Sequence, residues 1–243
     1  MISIFRRSLP PIIYKTLSII SFAALASVST ATPHPTHNVK RSGFGDIYDY
    51  YSEVRNSNYE NMAGSCSWMS VADDSSTELS ELKSAIKNVS LTYSVDPRFT
   101  LSIFLEEIRG CVRVWSTDNG VYNPGLMQSC DGSGTCNNGV DENGDVQNPC
   151  TNCEIREMII DGVDGTDGGS CALLVQDLQQ LEATDVSMYY KVARLYNSGT
   201  IDPYNLDNGE GSNSCYACDI ANRLTGWVNA VPCCNASTGD KSC

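Results

Sequence analysis

Length, composition and charge set the first limits on what this protein can do. The chain has 243 residues, with 29 acidic and 16 basic ones, and a formal net charge of −13. A charge of this sign repels nucleic acid and anionic membranes. Beyond the N-terminus, no segment has the roughly 20 consecutive apolar residues of a membrane helix. We therefore expect neither a nucleic-acid nor a membrane partner, and a monomer.

The N-terminus has the layout of an export precursor. Basic residues precede an apolar run from Leu17 to Val28, and small residues follow up to Ala31, which is the pattern of a cleaved signal peptide. Residues 32–41 form a short pro-segment ending in Lys40-Arg41, which resembles a dibasic processing site. The alternative is an ordinary exposed basic pair. We expect a secreted, extracellular protein with a single mature domain over residues 42–243.

Removal of the precursor segment would change the chemistry that is available. Both histidines, His34 and His37, lie within it, together with five basic and no acidic residues, so the mature net charge would be −18. A chain without histidine excludes Ser-His-Asp and Cys-His catalysis and every imidazole metal site. Proton transfer near neutral pH must then use carboxylates, tyrosines or lysines.

The cysteines predict a disulfide framework. All 12 lie between Cys66 and Cys243, and an even number in an exported chain indicates full pairing without a free thiol. Cys150-x-x-Cys153 and Cys215-x-x-Cys218 are also compatible with a four-cysteine zinc site, but an oxidising compartment favours bridges. No metal or cofactor is expected. Asn88-Val89-Ser90 and Asn235-Ala236-Ser237 are glycosylation sequons, which function only if exposed.

In chain order, the sequence predicts helices on both sides of a cysteine-rich β region. Residues 42–65 predict an irregular arm, with a weakly helical piece from Ile47 to Val54. Residues 111–153 hold many Gly, Asn, Asp and Cys residues and predict turns, short strands and cross-linked loops. The fold class is therefore α+β, mainly helical, with a small irregular β region and disulfide-rich loops. Apolar spacing predicts helices over Ser75–Val89, Asp96–Arg109, Cys153–Asp161, Cys171–Leu181, Val186–Tyr196 and Tyr216–Val228.

Two adjacent glutamates near the end of the second predicted helix differ in their surroundings. Glu107 falls within an apolar arc, whereas Glu106 shares a polar face with Arg98 and Arg109. A carboxyl group on an apolar arc is desolvated, so its pKa should rise, as a general acid requires. The alternative is that Glu107 forms a salt bridge at the edge of the domain. The arc consists of Phe99, Ile103, Phe104 and Ile108.

Three motifs follow one another in the order of a known family. Glu107 is followed by Gly110, then by Gly125-Leu126-Met127-Gln128, and then by Tyr196-Asn197-Ser198-Gly199. This arrangement resembles the lysozyme-like superfamily, in particular soluble lytic transglycosylases and goose-type lysozymes. The segment Asp219–Trp227 is similar to small secreted fungal proteins of the same type.

The sequence also departs from the family pattern. The family usually has Ser after its catalytic Glu, where this chain has Ile108, so one hydrogen bond near the carboxylate is missing. Residues 129–153 are a cysteine-rich addition that we expect to reshape one wall of the cleft. Both features favour the alternative of a non-catalytic glycan-binding or effector protein on a lysozyme-like scaffold.

The resemblance implies a lysozyme-like catalytic domain acting through a single Glu. Glu107 would protonate the glycosidic oxygen, and water or the sugar's own 6-hydroxyl would capture the anomeric carbon. Gln128 and the Gly125-Leu126-Met127 backbone would hold the sugar, while Tyr196 and Asn197 would position Glu107 or the substrate. The alternatives are that Leu126 and Met127 belong to the core, that Tyr196 is a packed aromatic, and that Asn197-Ser198-Gly199 caps a helix.

Inverting hydrolysis would require a second carboxylate about 6.5 to 9.5 Å from the first. Asp118 is the best candidate, although Asp118-Asn119-Gly120 is also an ordinary turn. Asp141–Asp145 resembles part of a calcium loop without a complete ligand set. The expected substrate is the β-1,4-linked polymer peptidoglycan, cleaved by a glycoside hydrolase or lytic transglycosylase; a chitin-type polymer is the alternative, because the acidic chain lacks attraction for anionic bacterial walls.

Overall fold

The structure is a computed structural model that describes residues 58–165, 171, 173–181, 186–224 and 234. These residues all belong to the unit Lys40–Cys243. The predicted signal peptide, the predicted pro-segment and the predicted weakly helical piece from Ile47 to Val54 lie outside the described residues. None of the helices in the described part is long and apolar enough to cross a membrane.

The predicted helices are all present, with some shifts at their ends. In the described part they are α1 (Ser76–Thr92), α2 (Pro97–Ile108), α3 (Asn152–Val163), α4 (Leu174–Gln180), α5 (Ser187–Ser198) and α6 (Tyr216–Leu224). Helix α4 begins later than predicted, and the predicted end of α6 lies outside the described residues. The irregular arm is a wrong prediction for its described part, because residues 58–63 are helical; a 3₁₀ turn, Ser67–Met69, follows.

Side-chain caps explain where the two longest N-terminal helices begin. The Ser75 hydroxyl accepts a hydrogen bond from the Glu78 N–H, and Glu78 accepts one from the Ser75 N–H, which completes a capping box before α1. The Asp96 carboxylate accepts from the Arg98 N–H, and Pro97 occupies the first turn of α2, where its missing N–H costs nothing. The Asp96 cap and Pro97 fix the start of α2, the helix that carries Glu107.

The β region is small, as predicted. Strands β1 (Thr117–Asp118) and β2 (Tyr122–Asn123) pair antiparallel, with Thr117 opposite Asn123 and Asp118 opposite Tyr122. Isolated bridges join Ser116 to Val140 and Asn137 to Val146 in the loops that follow. The predicted α+β class, mainly helical with a small irregular β region and disulfide-rich loops, is confirmed.

The hydrophobic core forms where the helices meet. Helix α1 packs on α3 and α2, while α6 packs on both α2 and α5. The arc predicted for α2 lies within this core, and its four apolar side chains are all buried. Ser90 donates a buried hydrogen bond of 2.8 Å to the Thr100 hydroxyl and joins α1 to α2. Helix α2 is therefore fixed between α1 and α6 along its length.

A buried arginine connects α1 to the loop that follows α2. Arg113 is 0% exposed and donates to the carboxylates of Glu78 and Asp74, to the carbonyls of Gln147 and Ala72, and to Asn148. One cation faces two carboxyl groups, so the cluster carries one excess negative charge when both are ionised. Burial raises the pKa of Asp74 to about 7. For Glu78, burial opposes ionisation, but hydrogen bonds from Ser75 and Cys150 together with Arg113 hold its pKa below its ordinary value.

Four disulfides cross-link the described part: Cys66–Cys111, Cys130–Cys171, Cys136–Cys150 and Cys215–Cys234. Two of them use Cys150 and Cys215, so bridges take the cysteines that a four-cysteine zinc site would need. Cys153 and Cys218 are free thiols, so full pairing is a wrong prediction for these two residues. Cys153 lies in α3 and Cys218 lies in α6.

The two glycosylation sequons have different outcomes. Asn88 lies on α1 and its side chain is exposed, as a glycosylation site requires. Asn235 lies outside the described residues.

Candidate active site

The end of helix α2 determines the position of Glu107. Arg109 turns the chain into the left-handed region at φ 59°, and Gly110 follows at φ 119°, a conformation that favours glycine. A Cβ added to Gly110 would lie 2.8 Å from the Met62 Cγ, so the glycine also permits close packing. Cys111 is bound directly afterwards to Cys66. The helix end is therefore held by backbone geometry, packing and a covalent bond.

Glu107 is desolvated and hydrogen-bonded by a tyrosine from another helix. The Tyr216 hydroxyl, at the start of α6, donates to Glu107 Oε1 at 2.5 Å. Burial raises the pKa of Glu107 to about 7; the neighbouring Glu106 charge adds to this rise, and the Tyr216 hydrogen bond opposes it. The predicted pKa rise at Glu107 is confirmed.

The two adjacent glutamates have different partners. Glu106 Oε2 accepts from Arg223 Nε at 2.7 Å, and the Glu106 side chain is 11% exposed. Glu106 therefore forms a salt bridge of the kind that was the alternative interpretation of Glu107. It also lies less in solvent than its polar helix face predicted, because α6 covers it.

Glu107 opens into a cleft of about 480 Å³. Its lining comes from the 3₁₀ turn, the end of α2 and the loop after it, the β hairpin, the end of α5 and the loop before α6. The described lining residues are Trp68, Glu107, Ile108, Val114, Trp115, Thr117, Asn119, Asn123, Gln128, Tyr196, Asn197, Gly211, Ser212 and Asn213. The cleft thus brings together residues from all three motifs, which are far apart in the sequence.

Gln128 is the member of the second motif whose side chain reaches the cleft. Its Nε2 donates to the carbonyls of Gly125 at 3.0 Å and Trp115 at 3.3 Å, and its Oε1 accepts from the Thr117 hydroxyl at 2.8 Å. The backbone of Gln128 has φ 45°. The Gln128 side-chain amide therefore joins β1 to the segments directly before and after the hairpin, and Gln128 forms part of the cleft wall.

The Gly125, Leu126 and Met127 residues lie behind this wall. The side chains of Leu126 and Met127 are 0% exposed, so both belong to the core, which is the alternative weighed for them. Gly125 has φ 69°, and a Cβ there would lie 2.6 Å from the Gly134 carbonyl oxygen. None of the three is among the described lining residues. Their role is to carry Gln128 on a tightly packed turn.

The third motif contributes two side chains to the cleft. Burial raises the pKa of Tyr196, and its hydroxyl donates to the Met127 carbonyl at 2.7 Å, which joins the second and third motifs. Asn197 Oδ1 accepts from Nη2 of the buried Arg194, and Nη1 of the same arginine donates to the Asn213 carbonyl at 2.7 Å. Gly199 caps α5 at φ 69°. Arg194 therefore connects the end of α5 to the loop before α6 from behind the cleft.

Asp118 belongs to the turn of the hairpin. Its side chain is exposed, and its Oδ1 accepts from the Gly120 N–H at 2.9 Å. Asp118 is therefore part of an ordinary turn, which was the alternative to its catalytic role. Among the described residues, Glu107 is the only carboxylate that lines the cleft.

The cysteine-rich addition lies elsewhere. Among the described lining residues, none comes from residues 129–153, so the expected effect of this segment on a cleft wall is not seen. The segment instead binds the core: Asp161 on α3 accepts from the N–H groups of Ser133 and Gly134, and Asn137 donates to the Arg113 carbonyl at 3.0 Å. These hydrogen bonds attach the segment to α3 and to the loop after α2.

Three aromatic residues are among those at the site that the sequence did not identify. Tyr216 shares a helical face with Ile220 and Leu224, which indicates burial but does not identify its partner Glu107. Trp68 and Trp115 lie outside the three motifs. Nothing in the spacing of the residues around them, Cys66 and Val114 among them, predicts that these two side chains line a cleft.

The described residues offer no plausible metal centre. Two groups of three could hold an ion by distance, Cys66-Asp74-Cys111 and Cys130-Asp131-Cys171, but in each the two cysteines form a disulfide and are no longer thiolate ligands. In the partial calcium loop, Asp145 accepts hydrogen bonds from Asn138, and Asn143 binds backbone. The first contact lies within the loop, and the second joins the loop to Met69 of the 3₁₀ turn.

No protein-family profile, curated protein sequence or solved structure matches the chain. The lysozyme-like resemblance therefore stays a prediction from the three sequence motifs.

Proposed function

We propose that this protein is a lysozyme-like glycosidase or lytic transglycosylase that cleaves β-1,4 linkages of an aminosugar polymer, with Glu107 as its general acid. The observation that carries the proposal is a single desolvated carboxyl group, with a pKa of about 7, that faces a polar cleft of about 480 Å³. A buried acid that keeps its proton near neutral pH is what protonation of a glycosidic oxygen requires.

The hydrogen bonds of Glu107 assign roles to its two oxygens. Tyr216 holds Oε1, so Oε2 carries the proton that is transferred. Glu107 donates this proton to the glycosidic oxygen, the C1–O bond breaks, and positive charge develops at the anomeric carbon. The resulting Glu107 carboxylate then takes a proton from the attacking group, which restores the acid. In the carboxylate stage the Tyr216 hydrogen bond stabilises the new charge.

The attacking group is water or the 6-hydroxyl of the same sugar. Asp118 is occupied by its own turn, and Glu107 is the only carboxylate in the described lining. This favours a route with one acid/base over inversion by two carboxylates, which needs a second carboxylate across the bond. Attack by water leaves a reducing end, whereas attack by the 6-hydroxyl leaves a 1,6-anhydro end.

The test is cleavage of purified peptidoglycan and of chitin oligomers by the wild type and by Glu107→Gln. Glutamine keeps the shape and the Tyr216 contact but has no proton to transfer. We expect turnover to fall by about 10² to 10⁴ while glycan binding is retained. Mass spectrometry of the products separates reducing ends from 1,6-anhydro ends.

Glu106→Gln is the matched control. It makes the same chemical change one residue away, where the side chain meets Arg223 and not the cleft. Its activity should stay within about threefold of wild type, because Glu106 is not among the described lining residues and a glutamine oxygen can still accept the Arg223 hydrogen bond. Full activity of Glu107→Gln contradicts the proposal, and a wild type that binds both polymers without cutting either favours the glycan-binding protein.

A further inference from the structure

The charge in the cleft differs sharply from that of the chain. The chain has a net charge of −13, yet among the described lining residues Glu107 is the only acidic one, and none is basic. The pKa of about 7 keeps Glu107 largely uncharged in acid. The described wall therefore offers amides, hydroxyls and aromatic rings, which suit an uncharged ligand. The amide-bearing residues are Asn119, Asn123, Gln128, Asn197 and Asn213, of which Gln128 already uses its Nε2 for two internal hydrogen bonds.

Two tryptophans form one side of this cleft. The Trp68 and Trp115 rings meet edge to face, with centroids 5.0 Å apart and an interplanar angle of 72°. Trp115 is partly buried, but Trp68 is 60% exposed. Leaving this much of an indole in water is unfavourable, and its flat face offers a large apolar contact area at the cleft.

The position of Trp68 is fixed although its ring is exposed. Its 3₁₀ turn follows Cys66, which is bound to Cys111 just after the helix that carries Glu107. The next residue, Met69, is buried, and its carbonyl accepts from Asn143 at 2.8 Å. A ring on a fixed backbone loses little conformational freedom when a ligand covers it.

We propose that Trp68 is a stacking platform for a pyranose ring and that the cleft selects an uncharged, N-acetylated aminosugar polymer over anionic peptidoglycan. This inference rests on the proposed function and names its substrate class. The apolar C–H face of a pyranose covers the indole face, and its equatorial hydroxyl and acetamido groups meet the amide-rich wall. Trp115 contacts the Trp68 ring at 72° and lines the cleft beside it.

Charge explains the selectivity. Peptidoglycan carries carboxylates on its lactyl and peptide groups, and no basic side chain in the described lining would pair with them. The strongly acidic chain also repels such a polymer over longer distances. An uncharged polymer experiences neither cost. The Oδ1 atoms of Asn197 and Asn213 accept internal hydrogen bonds. Within the described residues, their Nδ2 groups donate no hydrogen bond. These Nδ2 groups can therefore donate to the acetamido carbonyls of the sugar.

The test measures binding in the Glu107→Gln background, where turnover cannot interfere. Titration calorimetry and tryptophan fluorescence compare the hexamer of N-acetylglucosamine, its deacetylated form and a soluble peptidoglycan fragment of similar length. We expect the acetylated hexamer to bind most tightly and to change the fluorescence. Adding Trp68→Ala should weaken its binding by about 30-fold, the loss typical of truncating an aromatic anchor.

Two further variants make the result specific. Trp68→Tyr keeps a flat ring and should restore most of the affinity. Tyr204→Ala removes an aromatic side chain that is 97% exposed and outside the described lining, and should leave affinity unchanged. Unchanged binding by Trp68→Ala, or tighter binding of the peptidoglycan fragment, overturns this inference. Failure of the wild type to cleave both the hexamer and peptidoglycan overturns the proposed function instead, since binding is read independently.

Discussion

The hydrogen bond from Tyr216 to Glu107 lowers the pKa of the proposed acid and partly opposes the larger effect of burial. Tyr216→Phe removes one hydroxyl and keeps the ring in the core. The lost bond stabilises the carboxylate form of Glu107, so its loss makes the proton harder to remove and raises the pKa. The direction is upward from the present value of about 7.

The size of the shift follows from the energy of the bond. A hydrogen bond to a charged group contributes about 1.5 to 3 kcal/mol, and one pKa unit corresponds to about 1.4 kcal/mol. Loss of the Tyr216 bond should therefore raise the pKa of Glu107 by about one to two units. The rate at the optimum should fall as well, because Glu107 loses the contact that orients it.

The assay is the pH profile of kcat/KM on chitin oligomers, whose alkaline limb reports the pKa of the acid in the free enzyme. In Tyr216→Phe this limb should move to higher pH by about one to two units. Tyr196→Phe is the comparison, because its hydroxyl binds the Met127 carbonyl and not Glu107. Its limb should stay in place whatever its effect on rate. A Tyr216→Phe limb that is unmoved or lower would refute the reasoning.

Two further predictions concern stability. Arg113→Met leaves Glu78 and Asp74 buried without their cation, so the free energy of unfolding should fall by about 3 to 5 kcal/mol in chemical denaturation; a loss below about 1 kcal/mol would contradict this account of the cluster. Burial raises the pKa of Asp177 from 3.8 to about 7, so its contribution to stability is present below about pH 4 and is lost as the pH rises to about 7. Wild-type Tm should therefore be higher at pH 4.5 than at pH 7.5, and Asp177→Asn should reduce this difference; an identical pH dependence in the variant would count against the assignment.

Helix positions followed from the sequence because local signals set them. The capping box at Ser75 and Glu78 and the pair Asp96-Pro97 are short-range features, and each marks a helix start within one residue. The apolar arc of α2 predicted the burial of Glu107 for the same reason. By contrast, the helical residues 58–63 follow a polar stretch without clear periodicity, so nothing local predicted them.

Partners across the fold could not be predicted in this way. Glu107 and Tyr216 are 109 residues apart, and only the packing of α6 on α2 brings them together. The same packing gives Glu106 its partner Arg223. The pairing of cysteines has the same origin, since Cys130 meets Cys171 through the path of the chain and not through a spacing rule.

The buried Arg194 has a consequence for how this protein could vary. It binds Asn197 at the end of α5 and Asn213 just before α6, so one side chain holds both ends of the intervening loop. Tyr204, near the middle of that loop, lies almost wholly in solvent. A segment anchored at both ends can gain or lose residues at its tip while its anchors stay in register. The loop is therefore a natural position at which to graft a tag, a second binding module or a longer rim without rebuilding the rest of the fold.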